Sequence, residues 1–217
     1  MALMILGSLK LMDEAREAVF EEVGDDTGAK LGMWLFILSE LLLFGGMFIL
    51  YSGYRYKNPA DFHHASRELE VILGTLNTII LLTSSLSVAA SIAAIQKGQR
   101  KLSMVLLMAT MALGLLFLAN KGFEWGTKIE HGIYPNSPTL LARSKGEILF
   151  FGLYYVMTGL HGLHVLVGVC VFSVMLIFIA KGTLNQMRFV PLENAGLYWH
   201  LVDIIWIFLY PLFYLIT

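Results

Sequence analysis

The sequence predicts an all-α protein, a polytopic transmembrane helix bundle with five spans. Three observations predict it. Hydrophobic residues make up 57% of the 217 residues and charged residues only 14%, against roughly 25% charged in an ordinary soluble domain. The apolar residues gather into five runs of at least the roughly 20 residues that cross a bilayer as a helix. Those runs are continuous, whereas barrel strands alternate over segments of about 10 residues. A helix satisfies its own backbone hydrogen bonds in lipid, so each run reads as one helix.

Composition also excludes several classes. Disorder needs low hydrophobicity, and mean hydropathy here is +0.71. Fifteen basic against 16 acidic residues give a net charge of -1, so there is no basic field for nucleic acid. The single cysteine, Cys170, excludes an intrachain disulfide and a thiolate cluster. No Gly-rich phosphate loop, nucleophile elbow or zinc pattern occurs.

Residues 1–30 are expected to form an acidic N-terminal arm on the cytoplasmic side, and residues 31–217 the five-helix domain. The first twelve residues are apolar but short, with no basic residue ahead and no small-residue cleavage site, so no signal peptide is expected. Residues 13–26 carry seven acids and one base, Arg16, and are expected to stay outside the bilayer. The spans are expected at 31–51, 69–95, 102–125, 146–180 and from 195 to the C-terminus. The fourth exceeds one perpendicular crossing and must tilt or project. The connections, 52–68, 96–101, 126–145 and 181–194, are short and polar and hold Pro59, Pro135, Pro138 and Pro191. With the N-terminus inside, the inner segments hold eight basic residues against six outside, and Lys97, Arg100 and Lys101 cluster in one turn. The positive-inside rule then predicts a cytoplasmic N-terminus and an outward C-terminus.

Ionisable residues inside the spans carry the functional information, since a charge at mid-membrane costs at least about 2.5 kcal/mol. Glu40 lies near the centre of the first span. It reads as a functional group, either a proton carrier or an anchor for a lipid head group or partner, and equally as a neutral carboxyl bonded to a neighbouring helix. His161 and His164 stand i, i+3 on one helix, flanked by Gly159 and Gly162. They could begin a metal site or hydrogen-bond across helices, although two residues one turn apart cannot ligate opposite faces of one haem. His200 and Asp203 repeat that spacing in the last span, as a proton relay or a polar clasp to the fourth span. Lys121 and Glu124 read as an interfacial ion pair. Asn77 and Thr78 can bond across helices. From these residues alone, a proton-coupled transporter and a membrane cytochrome b stay open. The first lacks an inverted repeat, and the second has poorly placed histidines.

Two stretches carry a resemblance. One is Phe150-Phe151 followed by Thr158-Gly159-Leu160-His161-Gly162-Leu163-His164-Val165 and Gly168. The other is Tyr198-Trp199-His200-Leu201-Val202-Asp203-Ile204-Ile205-Trp206, then Phe208-Leu209-Tyr210. With Leu38-Ser39-Glu40, Leu76-Asn77-Thr78 and the Glu124 region, the chain from about residue 31 to 210 resembles the subunit III family of haem–copper oxidases, which includes cytochrome c and quinol oxidases. The resemblance implies a non-catalytic membrane subunit of a respiratory terminal oxidase, in a complex that reduces oxygen to water and pumps protons. It implies no redox centre in this chain, haem and copper in partner subunits, and packing against the catalytic subunit I. It implies bound phospholipid, support of proton uptake, and a bacterial inner membrane. Glu40 matches the family's intramembrane carboxyl, and His161, His164, His200 and Asp203 match its polar helix-packing positions. Many members have seven spans, two of them splayed away across a lipid-filled cleft; this sequence has the five-helix part.

Overall fold

The computed structural model describes the backbone of residues 2–215 and the side chains of residues 27–215. Seven helices follow in order: α1 (Ala2–Lys57), α2 (Pro59–Ser66), α3 (Val71–Gln96), α4 (Arg100–Glu130), α5 (Pro138–Leu141), α6 (Lys145–Lys181) and α7 (Val190–Tyr214). No strand occurs among the described residues. Five helices are long and apolar enough to cross a membrane: 27–57 of α1, then α3, α4, α6 and α7. All five expected spans are therefore present. Most of the acidic arm expected over residues 1–30 lies outside the residues whose side chains are described.

The helices outrun their apolar stretches where local chemistry allows. The connection expected from residue 52 is helical to Lys57. It breaks at Asn58 because Pro59 cannot continue the ladder, but Pro59 is well placed in the first turn of α2. At 37 residues, α6 is about 55 Å long at 1.5 Å per residue, nearly twice the hydrocarbon thickness. It starts at Ser144, whose hydroxyl accepts from the Glu147 N–H, and stops at Gly182 in the left-handed region at φ 84°.

α3 and α4 form a tight hairpin turned at Gly98, φ 73°. Small polar residues line their contact. The Ser87 hydroxyl donates to the Leu106 carbonyl at 2.8 Å, and that of Ser91 to the Ser103 carbonyl at 2.9 Å. Such residues let backbones approach closely where no water competes for their bonds.

α7 is the most buried span and α1 the least. Trp199 and Trp206 of α7 are sealed in the interior, and their indole N–H groups donate to α3, to Ser84 Oγ at 2.9 Å and Thr78 Oγ1 at 3.0 Å. Glycines make room for Trp199. A Cβ added at Gly114 of α4 would meet its ring at 2.7 Å, and one at Gly168 of α6 at 2.6 Å. At the opposite end of the bundle, Tyr51, Phe62, Phe150 and Phe213 pack edge-to-face at 5.1–5.6 Å, and the Tyr51 hydroxyl donates to the Leu212 carbonyl.

Gly168→Ala should therefore destabilise the detergent-purified protein by about 1–3 kcal/mol, the usual cost of overpacking a rigid core. Gly152→Ala, whose Cβ would meet nothing within 4 Å, should cost nothing and gain helix propensity. Thermal unfolding of the two variants makes the comparison; equal losses would remove Trp199 as the organising contact.

Candidate intramembrane polar site

Glu40 and His164 meet across α1 and α6. Glu40 Oε2 lies 3.1 Å from His164 Nε2, and His164 Nδ1 lies 2.8 Å from the Leu160 carbonyl. A carbonyl only accepts, so Nδ1 carries a proton. Nε2 then bonds to Glu40 either as acceptor from a protonated carboxyl or as donor to a carboxylate. The pair shares one proton between two helices. Phe44 packs edge-on to the imidazole at 5.5 Å, and the Tyr198 hydroxyl donates to the His164 carbonyl at 2.9 Å.

His161 takes another direction. Its ring is fully buried, stacked on Trp206 at 5.2 Å and edge-on to Phe117 at 5.4 Å. Neither ring nitrogen has a hydrogen-bond partner among the described residues. The i, i+3 spacing thus sends the two histidines to different neighbours, His164 to α1 and His161 to α4 and α7.

The clasp expected between the fourth span and the His200 and Asp203 face does not form. His200 Nδ1 bonds to Ser85 Oγ of α3 at 2.6 Å. Asp203 is 3% exposed and neither carboxyl oxygen has a partner within bonding geometry. α6 and α7 meet instead through Gly168 against Trp199, His161 against Trp206, and the Tyr198 hydroxyl. The physical reason is rotation: α7 turns its two indoles toward the interior, and their bonds to α3 bring His200 to α3 as well.

The ion pair expected at the interface is in fact buried. Lys121 Nζ donates to Glu124 Oε2 at 2.9 Å, to the Tyr154 hydroxyl at 3.2 Å and to the Tyr214 hydroxyl at 2.6 Å. Both tyrosines in turn donate to Glu124 Oε1 at 2.7 Å. An ammonium has three donors, and all three are used. A buried pair is tolerable only when such extra bonds saturate it. Tyr154 on α6 and Tyr214 on α7 were not legible as partners, because nothing in the sequence sets the rotation of three helices about a common point. A cavity of about 520 Å³ opens beside Glu124, lined also by Glu70, Lys128 and His131. Asn120 and Asn77 bond across α4 and α3 at 2.9 Å, in the cross-helix role expected for Asn77.

No cluster of three or more His, Cys, Asp or Glu that could hold a metal occurs among the described residues. His161 and His164 are each committed to neighbours of their own. His164 is occupied by Glu40 and Leu160, and His161 is packed against aromatic rings.

Lys121→Ala should cost about 3–5 kcal/mol by stranding a buried carboxylate. Lys121→Met combined with Glu124→Leu should recover most of that loss. Thermal unfolding in detergent tests the pair, and a double variant as unstable as Lys121→Ala would contradict a saturated ion pair.

The family model for cytochrome c oxidase subunit III matches residues 2–217. The chain is similar to cytochrome c oxidase subunit 3 of Thermostichus vulcanus, 33% identical over 195 residues that cover 86% of this chain and 87% of that one. It is similar to the probable quinol oxidase subunit 3 of Staphylococcus haemolyticus, 28% identical over 86% of this chain and 88% of that one. It also matches the heme-copper oxidase subunit I+III of Aeropyrum pernix, 29% identical over 85% of this chain and 22% of that longer one. With an all-helical five-span architecture and a family match over nearly its whole length, the chain belongs to the cytochrome c oxidase subunit III family.

Proposed function

We propose that the chain is the non-catalytic subunit III of a respiratory haem–copper terminal oxidase, the complex that reduces oxygen to water and couples this to proton pumping. The observation that carries this reading is the family match over residues 2–217. Haem and copper then belong to partner subunits. Subunit I is the partner we assign, supported by the Aeropyrum pernix relative, whose name joins subunits I and III. The chain stabilises that subunit and supports its proton uptake.

Lys30 reaches Glu193 at 3.3 Å, and Arg100 donates to the Ala180 carbonyl. One end of the bundle thus gathers Lys30, Lys97, Arg100, Lys101, Lys181 and Arg188, which supports assigning that end, and the acidic arm of residues 1–30, to the cytoplasmic side of a bacterial inner membrane. An apolar groove of about 330 Å³ between α1, α6 and α7 is lined by Met33, Phe36, Val167, Val171 and Tyr198. We assign it to a phospholipid acyl chain. Glu40 and His164 act as a clamp between α1 and α6 with a shared proton, while His161 packs against α4 and α7 and His200 ties α7 to α3.

Purification of the tagged chain in mild detergent tests the assignment. Haem–copper subunits and haem absorbance should co-purify; a colourless chain purifying alone would refute it. Glu40→Gln keeps shape and bonding to His164, and a transmembrane hydrogen bond averages only about 0.6 kcal/mol. Assembly and initial oxidase rate should therefore survive this substitution. A normally assembled variant without initial turnover would make Glu40 an obligatory proton carrier.

A further inference from the structure

Among the described residues, Asp203 is the one aspartate inside a membrane-spanning segment, and neither of its carboxyl oxygens meets a partner in full hydrogen-bond geometry. A buried polar group in that state is costly and calls for an explanation. The polar side chain that acts on it is the Ser85 hydroxyl of α3, close enough to influence the carboxyl as a hydrogen-bonding group though short of full bonding geometry. The Ser85 hydroxyl is itself 2.6 Å from His200 Nδ1. His200 is half-buried and lines a cavity of about 450 Å³, together with Lys30, Trp34, Glu193 and Asn194. That cavity lies at the bundle end where Lys30 pairs with Glu193 at 3.3 Å and Gln96 donates to Glu193 at 3.1 Å. The Asn194 Oδ1 is buried there without a protein partner, as expected of a group that bonds water. With Nδ1 engaged by Ser85, Nε2 is the ring nitrogen available to the cavity.

We propose that Asp203 is a proton-exchanging carboxyl, connected through Ser85 and His200 to water in the Lys30–Glu193 cavity. The transfer balances. A hydronium in the cavity gives a proton to Nε2, and the Nδ1 proton passes to Ser85 Oγ. The former Ser85 hydroxyl proton passes to the Asp203 carboxylate, after a rotation of the hydroxyl or through one water. The imidazole ends neutral in its other tautomer, with Nδ1 accepting from Ser85. Discharge runs the same steps backward, so the site loads and unloads toward one side of the membrane. The charged groups facing this route are Lys30 from α1 and Glu193 from α7, at its mouth. No ion pair reaches His200 or Asp203 from α1, α3, α4 or α6 among the described residues. Lys121 and Glu124 are satisfied by each other and two tyrosines, and Glu40 is bonded to His164.

Infrared spectroscopy of the purified complex during transfer from H₂O to D₂O tests this. A carbonyl band of a protonated carboxylic acid should vanish in Asp203→Asn. Should that variant fail to assemble, aspartate labelled with carbon-13 at the side-chain carboxyl identifies the band in the unaltered protein, since it shifts aspartate and not glutamate. The band should downshift on deuteration, and Ser85→Ala should slow that exchange at least about tenfold, while Ser85→Thr, which keeps the hydroxyl, should not. Exchange in Ser85→Ala as fast as in the unaltered protein, or no aspartate band at all, would overturn the proposal. The readout follows the carboxyl itself and stands or falls independently of the oxidase assignment.

Discussion

An indole N–H in hydrocarbon has no water to bond, and two of them decide how this bundle closes. Trp199 and Trp206 stand two turns apart on α7, and each donates to a hydroxyl of α3, Ser84 and Thr78. That pairing sets the rotation of α7 against α3. The ring of Trp199 then needs space on its other sides, which Gly114 and Gly168 supply by having no side chain. α4 and α6 can approach only because those two positions are bare. The clamp is both apolar and polar: the ring fills the gap, and its one donor fixes the register.

The polar residues of the interior sort by how completely this packing satisfies them. Lys121 uses every donor it has, and Glu124 accepts three bonds, so the charges neither need nor admit water between them. Glu40 and His164 form a smaller version, closed by one shared proton and by the Leu160 carbonyl. Asp203 is different from these two carboxyls, buried to 3% exposure with neither oxygen in full hydrogen-bond geometry. In a low-dielectric interior such asymmetry is expensive, which separates a carboxyl held for packing from one held for exchange.

The two ends of the bundle also differ. One gathers basic side chains around Glu193, with Lys30 and Gln96 as its direct partners. At the other, Arg143 pairs with the Glu68 carboxylate, and Lys128 donates to the Glu68 backbone carbonyl at 2.9 Å.

Much of the protein was legible in the sequence because the bilayer is a strong and simple solvent. Span number, helix type and the rough limits of each span follow from apolar run length and the obligation to satisfy every backbone group internally. The two family stretches pointed to His161, His164, His200 and Asp203 as the polar residues to watch. Their partners were not legible. A spacing of i, i+3 places two side chains on one helix face but does not say which helix lies opposite, and His161 and His164 diverge to different neighbours. Lys121 and Glu124 lie toward the end of an apolar run, where linear position suggests an interface; Tyr154 and Tyr214, from helices far along the chain, enclose them. Such contacts depend on the rotation of each helix about its axis. That rotation is set by Trp199 seated between two glycines, a contact among α4, α6 and α7 that exists only once the helices have packed.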